Sequence, residues 1–494
     1  SRYTPSSTLQ RMELLKTGYM GTLSLGWDNY LFLELTGRQE RSSTLKDQSF
    51  FYPSANLSFL FTQAFHMPSW WNYGKLRLSY GIVGNAPETY TANIVYEQGS
   101  DNGFTWNTIP SSWGNADIRP EKKYEYEIGL ESKFLNNRLG IDISYYNNRV
   151  KDQILSTPQP STSGVKNVLM NVGEVANRGW DISISATPIL TRDFRWDLTA
   201  NYGVYKNKVV KLADGVPYLE ILNSGGSGIK IQAVEGQPMG DIYAQVPQVN
   251  ENGEYLVSDK GLYLNQTELQ KVGNINPAGV GGLFNSFSYK NVFLDFSIDF
   301  RIGGDVINEM NQYATAVGLT PESLKYRDTE HGGLSYYYPG DNNSSGIPVQ
   351  VDPSTGAGPN GEIIYHDGII LPGVVASTGE RNTRIIPAGY YYNTTYNWGT
   401  EAEQLTYRHS VFDNSYVKLR ELTIGYQFPE KMISKLGLGR LSVSVFGRNL
   451  FYFYKALKNY DAESSVGTSW ANQATVGSST TATRSFGVSL RASF

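Results

Sequence analysis

The segment 291–302, with the sequence NVFLDFSIDFRI, alternates apolar and polar side chains along its length. Every second residue from Val292 to Ile302 is apolar, and the residues between them are polar or charged except for Phe293. A period of two is that of a β-strand, in which successive side chains point to opposite faces of the sheet. The segment therefore predicts a long strand with one apolar face and one polar face.

The same alternation recurs along the chain, and the composition agrees with it. The 35 Tyr and 50 Gly among 494 residues favour strands and turns over helices. We predict about thirteen long strands, near residues 18–28, 29–39, 54–65, 75–83, 121–134, 138–151, 177–189, 193–207, 279–290, 291–302, 414–428, 439–449 and 481–494. Many of them reach ten or more residues, whereas ordinary strands have about five or six.

A soluble sandwich would bury the apolar faces of these strands against a second sheet, whereas a membrane barrel would turn them to lipid. The lengths of the predicted connections discriminate between the two. Short connections alternate without a break with longer ones, which lie near 40–53, 84–120, 152–176, 208–278, 303–413 and 450–480. A membrane barrel with tight periplasmic turns and long extracellular loops predicts this alternation. The expected fold is therefore all-β, a transmembrane antiparallel β-barrel.

Thirteen strands with two open edges would leave backbone groups unpaired in hydrocarbon. We therefore expect residues 1–494 to be the carboxy-terminal part of a larger barrel, or one chain of a split barrel. Its long extracellular loops are predicted near 84–120, 208–278, 303–413 and 450–480. The segment from Ser1 to Pro5 has no feature of a signal peptide, so we expect the beginning of the chain to be missing.

The composition argues against several other classes of protein. The net charge of −4 disfavours a nucleic-acid binder, and the absence of cysteine excludes disulfides and thiolate chemistry. The four histidines are scattered without metal-ligand spacing, and no apolar run is long enough for a membrane-spanning helix. No spacing suggests a catalytic triad or paired catalytic carboxylates, so we do not expect an enzyme.

Several blocks resemble those of the SusC/RagA family of TonB-dependent outer-membrane transporters, and they occur in the family's order. They are KLRLSYGIVGN at 75–85, EGQPMGDIY at 235–243, NP at 276–277, GG at 281–282, YKN at 289–291, GGD at 303–305, FDNSYVKLRELTIGY at 412–426, GRNLF at 447–451, NYDAES at 459–464 and TRSFG at 483–487. One departure is Ala462, where the family commonly has Pro. Independently of this resemblance, Lys418 and Arg420 lie on the same predicted strand face as Tyr416, facing the lumen or at its rim, and are predicted to belong to a solvated pore wall rather than to contact a ligand.

The resemblance implies a plugged barrel of about 22 strands in the outer membrane of a Gram-negative bacterium. It implies active import of oligosaccharides or oligopeptides, energised by TonB–ExbB–ExbD through an amino-terminal part that has no counterpart here. It also implies a SusD-like surface lipoprotein as partner and a dimer of such pairs. Two alternatives remain open, namely a structural barrel subunit that transports nothing and a soluble β-rich carbohydrate-binding protein.

Candidate site residues come from the loops and the last strand. The loop aromatics that could contact substrate or a partner protein, or pack within the loops, are Trp106, Trp113, Tyr336, Tyr337, Tyr338, Tyr390, Tyr391, Tyr392 and Trp398. The residues that resemble the insertion signal of outer-membrane barrels are Phe486, Val488, Leu490 and Phe494. No cofactor is expected, although turns such as 341–343 and Asp352 could hold structural Ca²⁺ through oxygen ligands.

Overall fold

A computed structural model describes residues 12–46, 49–93, 96–101, 104–110, 112–158, 162, 165, 167–224, 228–340, 346–397, 406–434, 437–464, 469–477 and 482–493. Its dominant feature is one sheet of thirteen strands, which we call the wall. The strands are β1 Lys16–Trp27, β2 Leu31–Ser42, β3 Ser49–Phe59, β4 Trp71–Asn85, β5 Glu121–Phe134, β6 Leu139–Lys151, β7 Glu174–Leu190, β8 Phe194–Lys211, β9 Pro277–Tyr289, β10 Val292–Gly303, β11 Tyr416–Gln427, β12 Arg440–Lys455 and β13 Ser485–Ser493.

Each wall strand pairs antiparallel with its neighbours in the chain, so the order in the sheet is the order in the sequence. Tight turns join many of the pairs at one end of the wall. The turn after β1 places Asp28 and Asn29 at φ values of 50° and 57°, the left-handed region that short polar residues tolerate and that hairpin turns need. The prediction of about thirteen long strands in an antiparallel sheet is confirmed.

The two faces of the wall differ sharply in polarity. Cross-strand pairs such as Leu25–Leu33, Ile128–Tyr145 and Ile184–Ala200 put apolar side chains on one face, which we call the apolar face. These side chains are largely uncovered: Trp27 is 68% exposed, Trp180 47% and Val488 72%. An apolar surface of this extent is stable in contact with lipid rather than water.

A β-bulge at Arg420 preserves this division of faces. Val417 and Leu419 point to the apolar face, and so do Leu422 and Ile424, which is a break in the period of two. Arg420 has no cross-strand partner in either β10 or β12, so it is the extra residue of the bulge. A bulge of this kind re-aims one side chain and resets the alternation.

The long links between strands all lie at the other end of the wall, and they contain their own structure. Their strands are Glu97–Asp101, Phe104–Thr108, Ser112–Trp113, Ile154–Pro158, Asn167–Asn171, Tyr218–Ser224, Ile229–Val234, Asp241–Ala244, Leu256–Val257, Gln270–Asn274, Asp305–Ile307, Leu334–Tyr337, Val349–Gln350, Tyr365–Ile369, Val374–Val375, Ile386–Pro387 and Val411–Asp413. Most fully buried apolar side chains of the described residues lie in these links, including Ile229, Ile242, Leu262 and Leu457. The links therefore pack around cores of their own.

The α-helices of the described chain are short: Phe61–Ala64, Glu309–Ala316, Ala388–Tyr396 and Glu430–Ile433. The 3₁₀ turns are Pro321–Leu324, Tyr407–Ser410 and Asn472–Ala474. Among the residues described, no helix has the length and apolar character needed to cross a membrane.

Strand boundaries differ from the predicted ones at a few places. The predicted strand 54–65 instead spans Ser49–Phe59 and is followed by the helical turn Phe61–Ala64. The Phe61 ring lies edge-on to Trp71 and fills the space beside Gly74, where a Cβ would come within 2.1 Å of it. This packing ends the strand although the apolar pattern continues.

A charge introduced on the apolar face of β7 should change the stability of the protein much more than a charge introduced at the neighbouring position on the polar face. Ile184→Arg places a cation on the apolar face and should lower the free energy of unfolding in lipid vesicles by about 2–4 kcal/mol. Ser183→Arg points to the polar face, where Asp142 is its cross-strand neighbour, and should leave the stability nearly unchanged. Denaturant titration in vesicles measures both. Equal effects of the two variants would contradict this assignment of faces.

Candidate functional site

Charged side chains on the polar face of the wall are paired across strands. Arg77 of β4 donates to Asp142 at 2.6 Å, and Lys75 lies 2.8 Å from Glu131. Arg77 reaches two strands across because Gly129 lies between them, where a Cβ would come within 2.8 Å of the guanidinium. This part of the polar face is therefore a fixed array of hydrogen-bonding groups.

A cavity of about 750 Å³ lies on the polar face beside this array. Its polar lining includes Arg77, Asp142, Asp181, Asn201 and Asp299. The glycines at 203 and 282, which lie on this face by register, leave the central part of the lining without side chains. The cavity is open and its lining carries charged groups, as expected for the wall of a water-filled passage.

A second charged group joins the wall to the last long link, and we call it the loop–wall ion cluster: Asp299, Lys418, Arg420 and Glu463. Arg420 donates a hydrogen bond from Nε to Asp299 at 2.5 Å. Its two terminal nitrogens donate to the Glu463 carboxylate at 2.6 and 2.8 Å. Lys418 Nζ donates to the same carboxylate at 2.6 Å, and its side chain is almost completely buried. Bidentate pairing to a planar guanidinium fixes geometry as well as charge.

Hydrogen bonds around the cluster hold the same loop segment, 459–464. The Tyr452 hydroxyl donates to Asp461 at 2.8 Å, and the Asn414 amide donates to the Ala462 carbonyl at 2.9 Å. Lys418 Nζ also lies 4.8 Å from the centre of the Tyr452 ring. Burial alone would raise the pKa of Glu463, but the hydrogen bonds from Arg420 and Lys418 outweigh it and lower the pKa to about 2.

The cluster unites two blocks that are distant in the sequence, 412–426 and 459–464. The prediction that Lys418 and Arg420 belong to a solvated pore wall needs correction for Lys418, which is 1% exposed and paired. The cause is the returning loop, which covers Lys418 and supplies Glu463. The alternation of β11 correctly predicted that Lys418 lies on the polar face. Nothing in the sequence indicated that the Glu463 carboxylate, forty-five residues away, would pair with it.

The loop aromatics separate into exposed and packed side chains. Tyr336, Tyr338 and Tyr392 are buried at 1%, 5% and 4% exposure and pack on other rings of their link. Trp106 and Tyr390 are exposed, and Trp113, Tyr337 and Tyr391 are half-buried. Trp398 lies outside the described residues. Loop-core packing therefore accounts for Tyr336, Tyr338 and Tyr392 in this structure.

A cavity of about 530 Å³ lies between the two longest links, and its lining was not predicted as a set. Its tyrosines are Tyr263, Tyr326, Tyr391, Tyr392 and Tyr396. Hydrogen bonds hold two of them in place, from Tyr263 to the Pro372 carbonyl at 3.1 Å and from Tyr392 to the Glu322 carbonyl at 2.8 Å. Burial raises the pKa of Tyr263 to about 12, so its hydroxyl stays protonated at neutral pH.

The remaining predicted residues are located as follows. Phe486, Val488 and Leu490 lie on the apolar face of β13, exposed by 75%, 72% and 68%, whereas Phe494 lies outside the described residues. Residues 341–343 also lie outside them, and Asp352 accepts hydrogen bonds from the amide and hydroxyl of Ser354 in a local turn. No group of three potential metal ligands occurs in the described part of the chain.

The ion cluster predicts a pH-dependent loop. Because the pKa of Glu463 is about 2 when folded against an ordinary value of 4.5, its stabilisation is complete above pH 4.5 and is lost as the pH falls towards 2. Glu463→Gln should remove about 2–3 kcal/mol of local stability at neutral pH and abolish that pH dependence. Hydrogen exchange of amides 459–464 measures both effects.

A matched control is Glu251→Gln, which changes an exposed loop glutamate and should leave that exchange unaltered. A double variant, Lys418→Met with Glu463→Leu, should be less destabilised than Glu463→Leu alone, because it leaves no unpaired cation at the buried position. Equal exchange in Glu463→Gln and the unmodified protein would refute the anchoring role.

Comparison with known proteins agrees with this geometry. Residues 3–242 match the family described as "TonB dependent receptor-like, beta-barrel". The chain is 24% identical to TonB-dependent receptor P3 of Formosa agariphila, over 91% of this chain and 42% of that protein. It is 30% identical to TonB-dependent receptor SusC of Bacteroides thetaiotaomicron, over 46% of this chain and 24% of that protein.

The solved structure of the RagAB peptide transporter has the same fold, with a TM-score of 0.64 and 19% identity over 91% of this chain and 45% of that one. The chain thus spans less than half the length of the relatives it matches. The matched family and both relatives are described as receptors rather than as enzymes. The chain is therefore similar in sequence to TonB-dependent receptors, through residues 3–242 and these relatives, and similar in fold to the RagAB peptide transporter.

Proposed function

We propose that this chain forms the carboxy-terminal part of a SusC-like importer, which takes up oligosaccharides or oligopeptides across the outer membrane. The wall supplies the lumen with its polar face, and the long links form a vestibule at the cell surface. The observation that carries the proposal is the polar face itself. It holds paired charges and a cavity of about 750 Å³, while the opposite face is apolar and uncovered.

The size and packing of the links support a role in cargo capture. Passive turns need only a few residues, whereas these links fold around buried cores and enclose the cavity lined by tyrosines. Aromatic faces bind sugar rings and apolar side chains with little loss of conformational entropy. Of the predicted contact residues, Trp106 and Tyr390 are the exposed ones that could meet cargo or a partner.

The relatives support the proposed partners. One relative is SusC, and another structure is of the two-component RagAB peptide transporter. By analogy with them, a SusD-like lipoprotein closes over the long links, pairs of this kind dimerise, and TonB–ExbB–ExbD energises uptake. Cargo too large to diffuse through porins requires such energised entry.

Uptake by the native host tests the proposal. Deletion of the gene that encodes the complete protein should abolish uptake of one class of fluorescently labelled oligomer, either glycan or peptide. Reintroduction of the gene should restore it. Uptake of a monosaccharide and of a free amino acid, which diffuse through porins, is the control and should not change.

The same strains distinguish the structural alternative. Affinity purification from the native membrane should recover a surface lipoprotein with the barrel if a SusD-like partner exists. Unchanged uptake of both oligomer classes in the deletion strain, together with a lost surface assembly, would replace the importer by a structural subunit.

A further inference from the structure

A group of cations lies on the apolar face of the wall, at the end that carries the long links. The residues, which we call the basic stripe, are Lys122 of β5, Arg149 and Lys151 of β6, Arg178 of β7, and Lys206 and Lys208 of β8. Cross-strand register places them side by side. Arg178 pairs with Lys206, Ala176 lies between Arg149 and Lys208, and Lys122 pairs with Lys151.

Register also shows that the stripe is on the apolar face. Arg178 is two residues from Trp180, and Arg149 is cross-strand partner to Tyr124. The next row towards the membrane centre is Ile128, Tyr145, Trp180 and Val204, in four adjacent strands. Tyr145 and Trp180 are in ring contact at 4.9 Å. Tyr and Trp concentrate at the membrane–water interface, so the stripe lies at the level of the lipid headgroups.

The charges of the stripe are mostly unneutralised. Arg178, Lys206 and Lys208 are exposed and make no ion pair with any described residue. Arg149 is the exception, bonding Glu174 at 3.0 Å while 56% of its side chain remains exposed. Three unpaired cations and a partly exposed fourth form a strong local positive potential in a protein whose net charge is −4.

Four residues of the stripe line one cavity, so the surface of the stripe is concave. Strand β8 continues to Lys211, but its pairing with β9 ends at Gly203, so a step is left in the wall. A cavity of about 940 Å³ lies at this step, lined by Arg149, Arg178, Lys206 and Lys208 together with residues in the segments 236–241, 271–278 and 303–305. Lys271 also lines it but is paired with Asp241 at 2.7 Å.

The stripe is concentrated in one sector of the wall. Corresponding apolar-face positions near the same end of the strands on either side are uncharged: Gly84 of β4, Gly279 of β9, Ile302 of β10 and Val417 of β11. Arg41 of β2 is a further cation on this face, but it stands apart from the stripe. A general need to solvate the barrel rim would distribute cations evenly around the wall, so their concentration in β5–β8 points instead to a localised anionic partner.

We propose that the basic stripe binds the phosphate groups of lipid A, the phosphorylated glycolipid anchor of lipopolysaccharide in the outer leaflet. The inference rests on the proposed orientation, in which the long links face the cell surface, but not on the identity of the cargo. The acyl chains of the lipid then pack on the apolar face below the stripe. The rings of Tyr145 and Trp180 lie at the level of its sugar headgroup. The guanidinium and ammonium groups of the stripe neutralise its phosphates.

The test compares two triple variants of the complete protein in nanodiscs of phosphatidylcholine that contain lipid A. Arg178→Gln, Lys206→Gln and Lys208→Gln together should weaken lipid A binding about a hundredfold, since each cation contributes about fivefold. Lys133→Gln, Lys290→Gln and Lys431→Gln remove three cations near the short-turn end and should leave binding unchanged. Native mass spectrometry counts the bound lipid.

Two further arms make the result specific. Dephosphorylated lipid A should bind the unmodified protein as weakly as lipid A binds the stripe variant, and inorganic phosphate should not displace lipid A. Equal binding of lipid A by both triple variants would overturn the proposal. Cargo uptake by the stripe variant is measured separately. Loss of lipid A binding with normal uptake supports the stripe as a lipid site and leaves the importer function intact. Loss of uptake with unchanged lipid A binding contradicts the role of the stripe in lipid binding.

Discussion

The structure depends on one requirement: each wall strand must satisfy its backbone hydrogen bonds through its neighbours while keeping its apolar side chains on one face. In hydrocarbon an unpaired amide or carbonyl costs several kcal/mol, so the ladder has to be continuous. A register shift of one residue would exchange the two faces. The bulge at Arg420 meets both conditions, because the ladder continues on each side of it and Leu422 and Ile424 return to the apolar face.

The same requirement explains what could be predicted from the sequence. An alternation that must hold for about ten residues leaves a strong pattern, and for this reason the thirteen strands, their order and the alternating link lengths were all predictable. Strand ends were less so. Phe61 continues the alternation of Leu57 and Phe59, yet it starts a helical turn because its ring fits beside Gly74. A contact with a residue on the next strand leaves no periodic signal.

The interior of the links was not predictable for a related reason. Tyr336, Tyr338 and Tyr365 form a ring cluster in which Tyr336 is almost completely buried. The sequence marks these tyrosines as unusual but does not distinguish a packed ring from an exposed one, since both uses favour the same residue. Likewise, Lys418 and Glu463 reveal their pairing only when the last long link folds back onto β11.

A charged anchor suits the junction between link and wall for a physical reason. The links are stabilised by cores of their own, and the wall by its ladder and by lipid, so their contact on the polar face needs neither a large apolar area nor a deep core. An apolar contact there would place apolar side chains beside an aqueous passage. Arg420 and Glu463 are each 30% exposed and are compatible with contact with water. Their bidentate geometry fixes the direction in which the loop leaves the wall. Desolvation makes such a pair a poor source of stability, so its value lies in orientation: it holds segment 459–464 in one position against the polar face of the wall.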